Sequence, residues 1–263
     1  MILAVDVGNT NMVFGLFGGQ TLLGSFRLRT ASDITSDEIG ILACEYFSRF
    51  GFDPGDVEGV IIASVVPQIM YALTRGMNKY FGCTPLVVNE DVTSSLRFPP
   101  ELSAYAEAHL GADRSVTAMA AWKKYGGPLI VIDFGTATTM DSVSADGVYL
   151  GGTIGTGLRV TMDALTGGTA MLPRVELAMP ETMLGTSTAM QIQAGVVGGY
   201  VGNMEYLIGR IKAEMGGGEI RVIATGGLAH LVAENTARID IVDSQLTLDG
   251  LRMIYEDHMS GAV

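Results

Sequence analysis

The chain has 263 residues, of which 48% are hydrophobic and 35 are glycine, and its formal net charge at pH 7 is −12. This length and composition predict a well-packed α/β protein with one large or two smaller domains. The acidic balance argues against nucleic acid or an anionic membrane as a partner, because clustered Lys and Arg hold phosphate-rich surfaces. No apolar run approaches the roughly 20 residues of a membrane helix. With only two cysteines and no signal peptide recognised, we expect a soluble, cytoplasmic protein.

The first half begins with three strands separated by short turns, a meander rather than a crossover. Their sequences are "ILAVDV", "NMVFGLF" and "TLLGSFRLR". Hydrophobic spacing then predicts a helix over 37–50, a buried strand in "GVIIASVV", a helix over 67–81 that opens with proline, and a short strand in "PLVV". Strands and helices therefore alternate after the meander.

The second half repeats this order after a helix predicted over 114–122. Three strands are expected in "PLIVID", "ATTMDSVS" and "GVYLGGTI", followed by a helix over 157–166 and a loop with two prolines. A long helix over 188–215 is predicted from the helical spacing of Met204, Leu207, Ile208, Ile211 and Met215. A strand in "IRVIATGG" and a terminal helix in "TLDGLRMIYEDH" complete the chain. We therefore expect two domains, 1–112 and 113–263.

Each half opens with an apolar strand that runs into Asp-Xaa-Gly. Asp6 begins "DVGNTN", and Asp133 begins "DFGTATTMD". A carboxylate at a strand end can hold Mg²⁺ directly or through water, while glycine and turn N–H groups let phosphate oxygens approach the backbone. A single turn of this kind could be an ordinary β-hairpin. The recurrence of both turns, with "ATGG" later in the chain, favours a pair of phosphate-binding turns.

Two such halves resemble the actin, sugar-kinase and Hsp70 superfamily, in which two similar ribonuclease H-like domains face each other across a nucleotide cleft. Further segments narrow the resemblance to the type III pantothenate kinase family, also described as Bvg accessory factor homologues. They are "DVGNTNMVFGLF", "SVVP", "GADR", "DFGTATTMD", "GGTI", "LPRVEL", "AMQIQAGVVGGYVG", "VIATGGLA" and "LTLDGL". The resemblance implies ATP-dependent phosphorylation of pantothenate, the first step of coenzyme A biosynthesis. It also implies a homodimer that needs Mg²⁺ and a monovalent cation such as K⁺.

The resemblance assigns roles to residues position by position. The implied ATP-binding residues are Asp6, Val7, Gly8, Asn9, Thr10, Asn11, Met12, Val13, Thr136, Gly226 and Gly227. Asp6 would place Mg²⁺, directly or through water, and Asp133 would bind the monovalent cation. The implied pantothenate-binding residues are Tyr105, Gly111, Ala112, Asp113, Arg114 and Thr188.

Asp113 is the implied catalytic base, which would accept the proton of the pantothenate hydroxyl as that oxygen attacks the γ-phosphorus. Arg114 beside it should favour the ionised carboxylate that a base requires. Aspartate is also a good N-cap, so Asp113 could instead cap the helix predicted over 114–122. The two roles are compatible, and without the resemblance the capping role alone would be preferred.

Three functional hypotheses follow. The first is a pantothenate kinase. The second is an ATP-binding regulatory or scaffold paralogue with weakened substrate binding, motivated by departures from the family pattern at Thr156, at Thr186 and in "YAEAHL" before Gly111. The third is another small-molecule kinase or phosphatase of the superfamily. Asp113 favours the first hypothesis, because a scaffold has no need of a base, and the lack of a GxxxxGK[ST] loop excludes P-loop kinases.

The stretch "GVVGGYVG" places four glycines within one predicted helix. Glycine in a helix interior costs about 1 kcal/mol relative to alanine, so this cluster should have a packing reason. The partner could be a neighbouring helix of the same chain or a second copy. The family resemblance favours the second copy.

Overall fold

The computed structural model describes residues 1–103 and 110–261. Its contacts divide the chain into two compact units, one made of Met1–Ala120 with Gln245–Val263 and the other of Ala121–Ser244. This division falls inside a helix, a little after the domain boundary predicted between residues 112 and 113, and it groups the terminal helix with the first unit. Within the described residues, every helix is too short or too polar to span a bilayer.

The helices and strands of the described residues have the following bounds. In the first half they are β1 (Ile2–Val7), β2 (Asn11–Gly18), β3 (Thr21–Arg29), α1 (Ser36–Arg49), a 3₁₀ turn (Pro54–Asp56), β4 (Gly59–Ser64), α2 (Pro67–Phe81), β5 (Leu86–Val87) and α3 (Ala112–Tyr125). In the second half they are β6 (Leu129–Phe134), β7 (Ala137–Val143), β8 (Tyr149–Thr156), α4 (Leu158–Gly167), α5 (Thr188–Gln193), a π-helical segment (Ala194–Gly198), α6 (Gly199–Glu214), β9 (Arg221–Thr225), α7 (Ala229–Ala233), β10 (Ile241–Val242) and α8 (Leu246–Ser260).

Each unit contains a five-stranded mixed sheet, and the two sheets have the same topology. The strand order is β3-β2-β1-β4-β5 in the first unit and β8-β7-β6-β9-β10 in the second. In both, the first strand is central, antiparallel to the strand that follows it and parallel to the fourth strand of its sheet. The predicted α/β class with two similar mixed-sheet halves is confirmed.

Local sequence signals explain where the helices of the first unit begin and end. Thr35 and Glu38 form a capping box, in which each side chain accepts the other residue's backbone N–H, so α1 starts at Ser36. Pro67 occupies the first turn of α2, where its missing N–H costs nothing, and Gly82 ends that helix with a left-handed backbone. These boundaries match the prediction from sequence within one residue.

The terminal helix α8 belongs to the first unit because it packs on that unit's sheet and on the start of α3. A Cβ added to Gly15 would lie 2.8 Å from Cδ1 of Leu248, and one added to Gly59 would overlap Tyr255. The Thr247 hydroxyl is 2.8 Å from that of Thr117 on α3. These contacts join residues far apart in the chain, which is why sequence alone assigned α8 to the second half.

The long helix predicted over 188–215 is present, but it consists of α5, the π-helical segment and α6 in succession. The joining residues Ala194, Gly198 and Gly199 all keep right-handed helical dihedral angles, so the helix is continuous. Of its predicted apolar face, Met204 and Ile208 are buried in the core of the second unit. Leu207, Ile211 and Met215 pack against that core.

Candidate active site

The first Asp-Xaa-Gly turn closes on itself and is anchored by a residue that sequence reasoning missed. Asp6 is the second-last residue of β1, and its Oδ1 atom is buried. The N–H of Gly8 donates to the carbonyl of Asn11 at 3.0 Å. Thr30, directly after β3, donates its hydroxyl to the carbonyl of Gly8 at 2.7 Å and its N–H to the carbonyl of Thr10 at 3.0 Å. The turn is therefore held in one shape at the end of the central strand.

The eight residues assigned to this turn do not all present their side chains. Val7 and Met12 are fully buried in the core of the first unit, so only their backbone could contact a ligand. Asn9, Thr10 and Asn11 are exposed. The accessible part of the turn is therefore polar, as phosphate oxygens require.

Asp113 lies in the first turn of α3, but it is not the N-cap. The helix starts at Ala112, and the carbonyl of Gly111 accepts the N–H of Ser115 at 3.1 Å, which makes Gly111 the capping position. Oδ1 of Asp113 instead accepts the backbone N–H of Arg114 at 2.8 Å. The capping alternative is therefore wrong, and the carboxylate sits at the positive end of the helix dipole, which favours negative charge.

The start of α3 lies at the same edge of the first sheet as Asp6. Val65, directly after β4, donates its N–H to the carbonyl of Val7 at 3.1 Å. A Cβ added to Gly111 would lie 3.4 Å from Cγ1 of Val65 and 2.5 Å from Oδ1 of Asp113. The structure thus brings the segment that carries Asp113 to the carboxyl ends of β1 and β4.

Three other residues were predicted to contact pantothenate near Asp113. Ala112 is buried, with 4% of its surface exposed, so its side chain is part of the core. Tyr105 lies outside the described residues. Arg114 is half-buried beside Asp113.

The second Asp-Xaa-Gly turn has the same construction as the first. Asp133 is the second-last residue of β6, and the N–H of Gly135 donates to the carbonyl of Ala137 at 3.1 Å. Gly157, directly after β8, donates its N–H to the carbonyl of Thr136 at 3.0 Å. Gly157 thus bonds the second turn from the position after the third strand, as Thr30 bonds the first turn.

Gly226 ends the strand β9 and presses against the carboxylate of Asp133. Its φ angle is +92°, and an added Cβ would lie 2.3 Å from Oδ1 of Asp133 and 2.7 Å from the backbone N of Phe134. A side chain at position 226 would overlap the Asp133 carboxylate. Gly227 is exposed, and nothing among the described residues lies within 4 Å of a Cβ added there. The two glycines therefore have different surroundings, although the sequence predicted both as ATP-binding residues.

The donor chemistry fits small hard cations. No group of three or more His, Cys, Asp or Glu side chains converges anywhere in the described residues. Mg²⁺ in nucleotide sites is held by one or two carboxylates plus substrate phosphates, and Asp6 at a phosphate-type turn supplies one such carboxylate. The carboxylate of Asp133, whose Oδ1 atom lies beside Gly226, is a second candidate oxygen ligand.

Thr188 lies in a different part of the second unit, on the long helix. It is the first residue of α5, exposed, and follows Ser187, whose hydroxyl accepts the N–H of Met190 at 3.3 Å. It lines a cavity of about 390 Å³, which adjoins a second cavity of about 570 Å³. Gly195 and Val196 of the π-helical segment line both cavities.

Comparison with known proteins decides the family. The family model described as type III pantothenate kinase matches residues 2–210. The chain belongs to this family. A type III pantothenate kinase from Agathobacter rectalis is 41% identical over 255 residues, covering 97% of this chain and 96% of the relative. The family assignment made from the sequence motifs is confirmed.

Solved structures show that the fold of this family member is shared with more distant proteins. A conserved protein from Campylobacter jejuni, described as a Baf family transcriptional activator, aligns with a TM-score of 0.60 at 20% identity, over 98% of this chain and 99% of its own. A Sinorhizobium meliloti protein described as a 2-dehydro-3-deoxygalactonokinase aligns with a TM-score of 0.59 at 12% identity, over 97% and 96%. Both likenesses concern the fold alone.

The range matched to the pantothenate kinase family contains most of the predicted site. Asp6, Asp113, Asp133 and Thr188 fall within residues 2–210, whereas Gly226 and Gly227 lie beyond them. Of these two glycines, Gly226 lies against the Asp133 carboxylate, whereas Gly227 has no described atom within 4 Å of an added Cβ.

Proposed function

We propose that this protein transfers the γ-phosphoryl group of ATP to pantothenate, forming 4′-phosphopantothenate in the first step of coenzyme A biosynthesis. The observation that carries the proposal is membership of the type III pantothenate kinase family across residues 2–210. The relative with 41% identity over nearly the whole of both chains bears the same description. Among the three hypotheses from sequence, the kinase is therefore preferred.

Asp113 acts as the general base in this proposal. A carboxylate oxygen takes the proton from the pantothenate hydroxyl while that oxygen attacks the γ-phosphorus. Two features support this role. The first turn of α3 favours the ionised form of the carboxylate, and the segment lies at the sheet edge that also carries Asp6.

The polar turn Gly8–Asn11 supplies N–H groups and exposed side chains to ATP, and Thr136, Gly226 and Gly227 contribute further ATP contacts. Asp6 would hold Mg²⁺, directly or through water, and Asp133 would hold K⁺. When bound with ATP, Mg²⁺ would neutralise charge on the β- and γ-phosphate oxygens. The Asp133 carboxylate lies directly against Gly226, where an added Cβ would come within 2.3 Å of Oδ1. Glycine at position 226 therefore lets the carboxylate keep the place that the cation assignment requires.

We further propose a cytoplasmic homodimer in which each pantothenate site is completed across the interface, with Thr188 as a substrate contact. The support is the face of the long helix that carries Gly195, Gly199 and Gly202. Among the described residues, nothing lies within 4 Å of a Cβ added to any of these three glycines. A neighbouring segment of the same chain accounts only for Gly198, which faces Met183. This glycine face of the helix thus fits a second copy of the protein better than another segment of the same chain.

A phosphorylation assay separates the three hypotheses. Purified protein is mixed with ATP, MgCl₂, KCl and pantothenate, and the products are identified by mass spectrometry. We expect ADP and 4′-phosphopantothenate in equal amounts, with neither formed when pantothenate is omitted. ATP binding without turnover would support the scaffold hypothesis instead. Transfer to a sugar or another alcohol, but not to pantothenate, would support the third hypothesis.

A further inference from the structure

Tyr200 is a buried residue that contacts both strands of the second Asp-Xaa-Gly hairpin. It lies in α6 directly after the π-helical segment, and only 7% of its surface is exposed. Its hydroxyl is hydrogen-bonded to the hydroxyl of Thr138, and its ring centroid is 6.3 Å from that of Phe134. Phe134 and Thr138 are paired opposite each other where β6 and β7 run into the turn. Tyr200 therefore supports the base of the hairpin whose turn contains Thr136.

Gly157, the residue directly before α4, contacts the same turn. It donates its N–H to the carbonyl of Thr136 at 3.0 Å. A Cβ added to Gly157 would lie 2.3 Å from the carbonyl oxygen of Gly135 and 2.4 Å from that of Thr136. The start of α4 is thus packed directly against the turn Gly135–Thr136.

The environment keeps this hydroxyl protonated. Burial raises the pKa of Tyr200, and the negative charge of Asp133 raises it further. A neutral phenol can donate one hydrogen bond while it accepts others. Tyr200 therefore keeps its hydroxyl available for the hydrogen bond with Thr138. Phenylalanine would fill the same space without making that bond.

We propose that Tyr200 is a positioning residue for ATP, which acts by holding the turn Gly135–Thr136 in its binding shape through its hydrogen bond to Thr138. This inference rests on the proposed function only in taking Thr136 as an ATP contact. Without the hydroxyl, the hairpin loses the hydrogen bond at its base. The turn then samples other shapes, and ATP must reorder it on binding.

Calorimetric titration of Mg-ATP, without pantothenate, tests this proposal. The variants are Tyr200→Phe, Thr138→Val and the double variant, each with its thermal midpoint measured in parallel. We expect each single change to weaken Mg-ATP binding about 3- to 10-fold, the equivalent of one net hydrogen bond. The double variant should lose little more than either single variant, because both changes remove the same bond. Thr138→Ser, which keeps a hydroxyl, should restore wild-type affinity.

Tyr149→Phe is the matched control. Tyr149 is also a buried tyrosine of the second unit, and its hydroxyl donates to Oδ1 of Asp141 on β7 at 2.7 Å. We expect this change to lower the thermal midpoint without altering the affinity for Mg-ATP. The proposal would be overturned if Tyr200→Phe and Thr138→Val bind Mg-ATP within twofold of the wild type, or if Tyr149→Phe weakens binding to the same extent. Because pantothenate is absent, a failure of the proposed function would appear in the phosphorylation assay and not here.

Discussion

In the proposed mechanism, Asp113 serves both the fold and the chemistry. It is the second residue of α3, where a negative charge interacts favourably with the helix N-terminus by about 0.3–1 kcal/mol. The N-cap hydrogen bond belongs to Gly111, so the helix does not depend on the Asp113 side chain for its start. Loss of the charge should therefore affect stability little and catalysis strongly.

Asp113→Asn is expected to fold like the wild type and to lower turnover by about 10²- to 10⁴-fold, the usual contribution of a general base. Asparagine keeps the size and hydrogen-bonding capacity of the side chain but cannot accept the proton. Turnover is measured under saturating ATP and pantothenate. Circular dichroism and Mg-ATP titration serve as controls for folding and nucleotide binding. Near-normal turnover in the folded variant would remove Asp113 from the mechanism.

Asp133 leads to a prediction about monovalent cations. A carboxylate beside buried backbone stays ionised more easily with a cation nearby, because desolvation penalises an isolated charge. We expect activity to fall when K⁺ is replaced by Na⁺ or by a bulky organic cation at constant ionic strength. Asp133→Asn should lose most of this dependence. Wild-type activity that is indifferent to the cation would assign Asp133 to Mg²⁺ or to the turn alone.

At the scale of elements, the two Asp-Xaa-Gly hairpins depend on the residues that follow the third strand of each meander. Thr30 bonds two carbonyls of the first turn, and Gly157 bonds one carbonyl of the second. Both turns are therefore held by hydrogen bonds within the protein itself. Such preorganisation reduces the ordering cost of binding.

A prediction at the scale of elements concerns Gly226, which follows β9 and lies beside β6. Its neighbour Gly227 serves as the control. Gly226→Ala should destabilise the fold by about 1–3 kcal/mol and lower activity, because alanine is strained at a φ of +92° and its Cβ would overlap the Asp133 carboxylate. Gly227→Ala should leave stability nearly unchanged, since the described residues leave open space there. Thermal unfolding and the KCl concentration for half-maximal activity are measured for both. Equal behaviour of the two variants would contradict the assigned contact.

At the scale of the whole molecule, the exposed glycines on the long helix lead us to expect that two copies of the protein associate. Gly199→Leu should split a homodimer into folded monomers and reduce activity, because no described residue of the same chain lies within 4 Å of a Cβ at this exposed position. Gly198→Leu is the comparison, since a Cβ at that position would lie 2.8 Å from Sδ of Met183. Gly198→Leu should disturb packing within the chain as well as association of the two copies.

Sedimentation velocity at the enzyme concentration of the assay measures association, and circular dichroism checks that each variant is folded. The wild type should sediment as a dimer and Gly199→Leu as a monomer with lost pantothenate turnover. A wild-type protein that is monomeric while fully active would contradict the shared-site proposal.

The sequence alone determined the strands and helices whose apolar pattern is long enough to show a period. β1 to β4, β6 to β8, α1 and α2 all lie within two residues of the predicted bounds. Nine short motifs, in their order along the chain, predicted the family, which the comparisons confirm. Local spacing determines these features, because each depends on residues close together in the chain.

Only the tertiary structure decided features that join distant residues. α7 and β10 have five and two residues, too few for a periodic pattern, and their positions follow from packing beside β9. The placement of α8 in the first unit depends on its contacts with Gly15 and Thr117. Thr138 and Tyr200 are 62 positions apart, yet they share one hydrogen bond beneath the second turn. Such bonds leave no trace in local sequence, because burial and direction are set only once the sheet has formed and the long helix has packed on it.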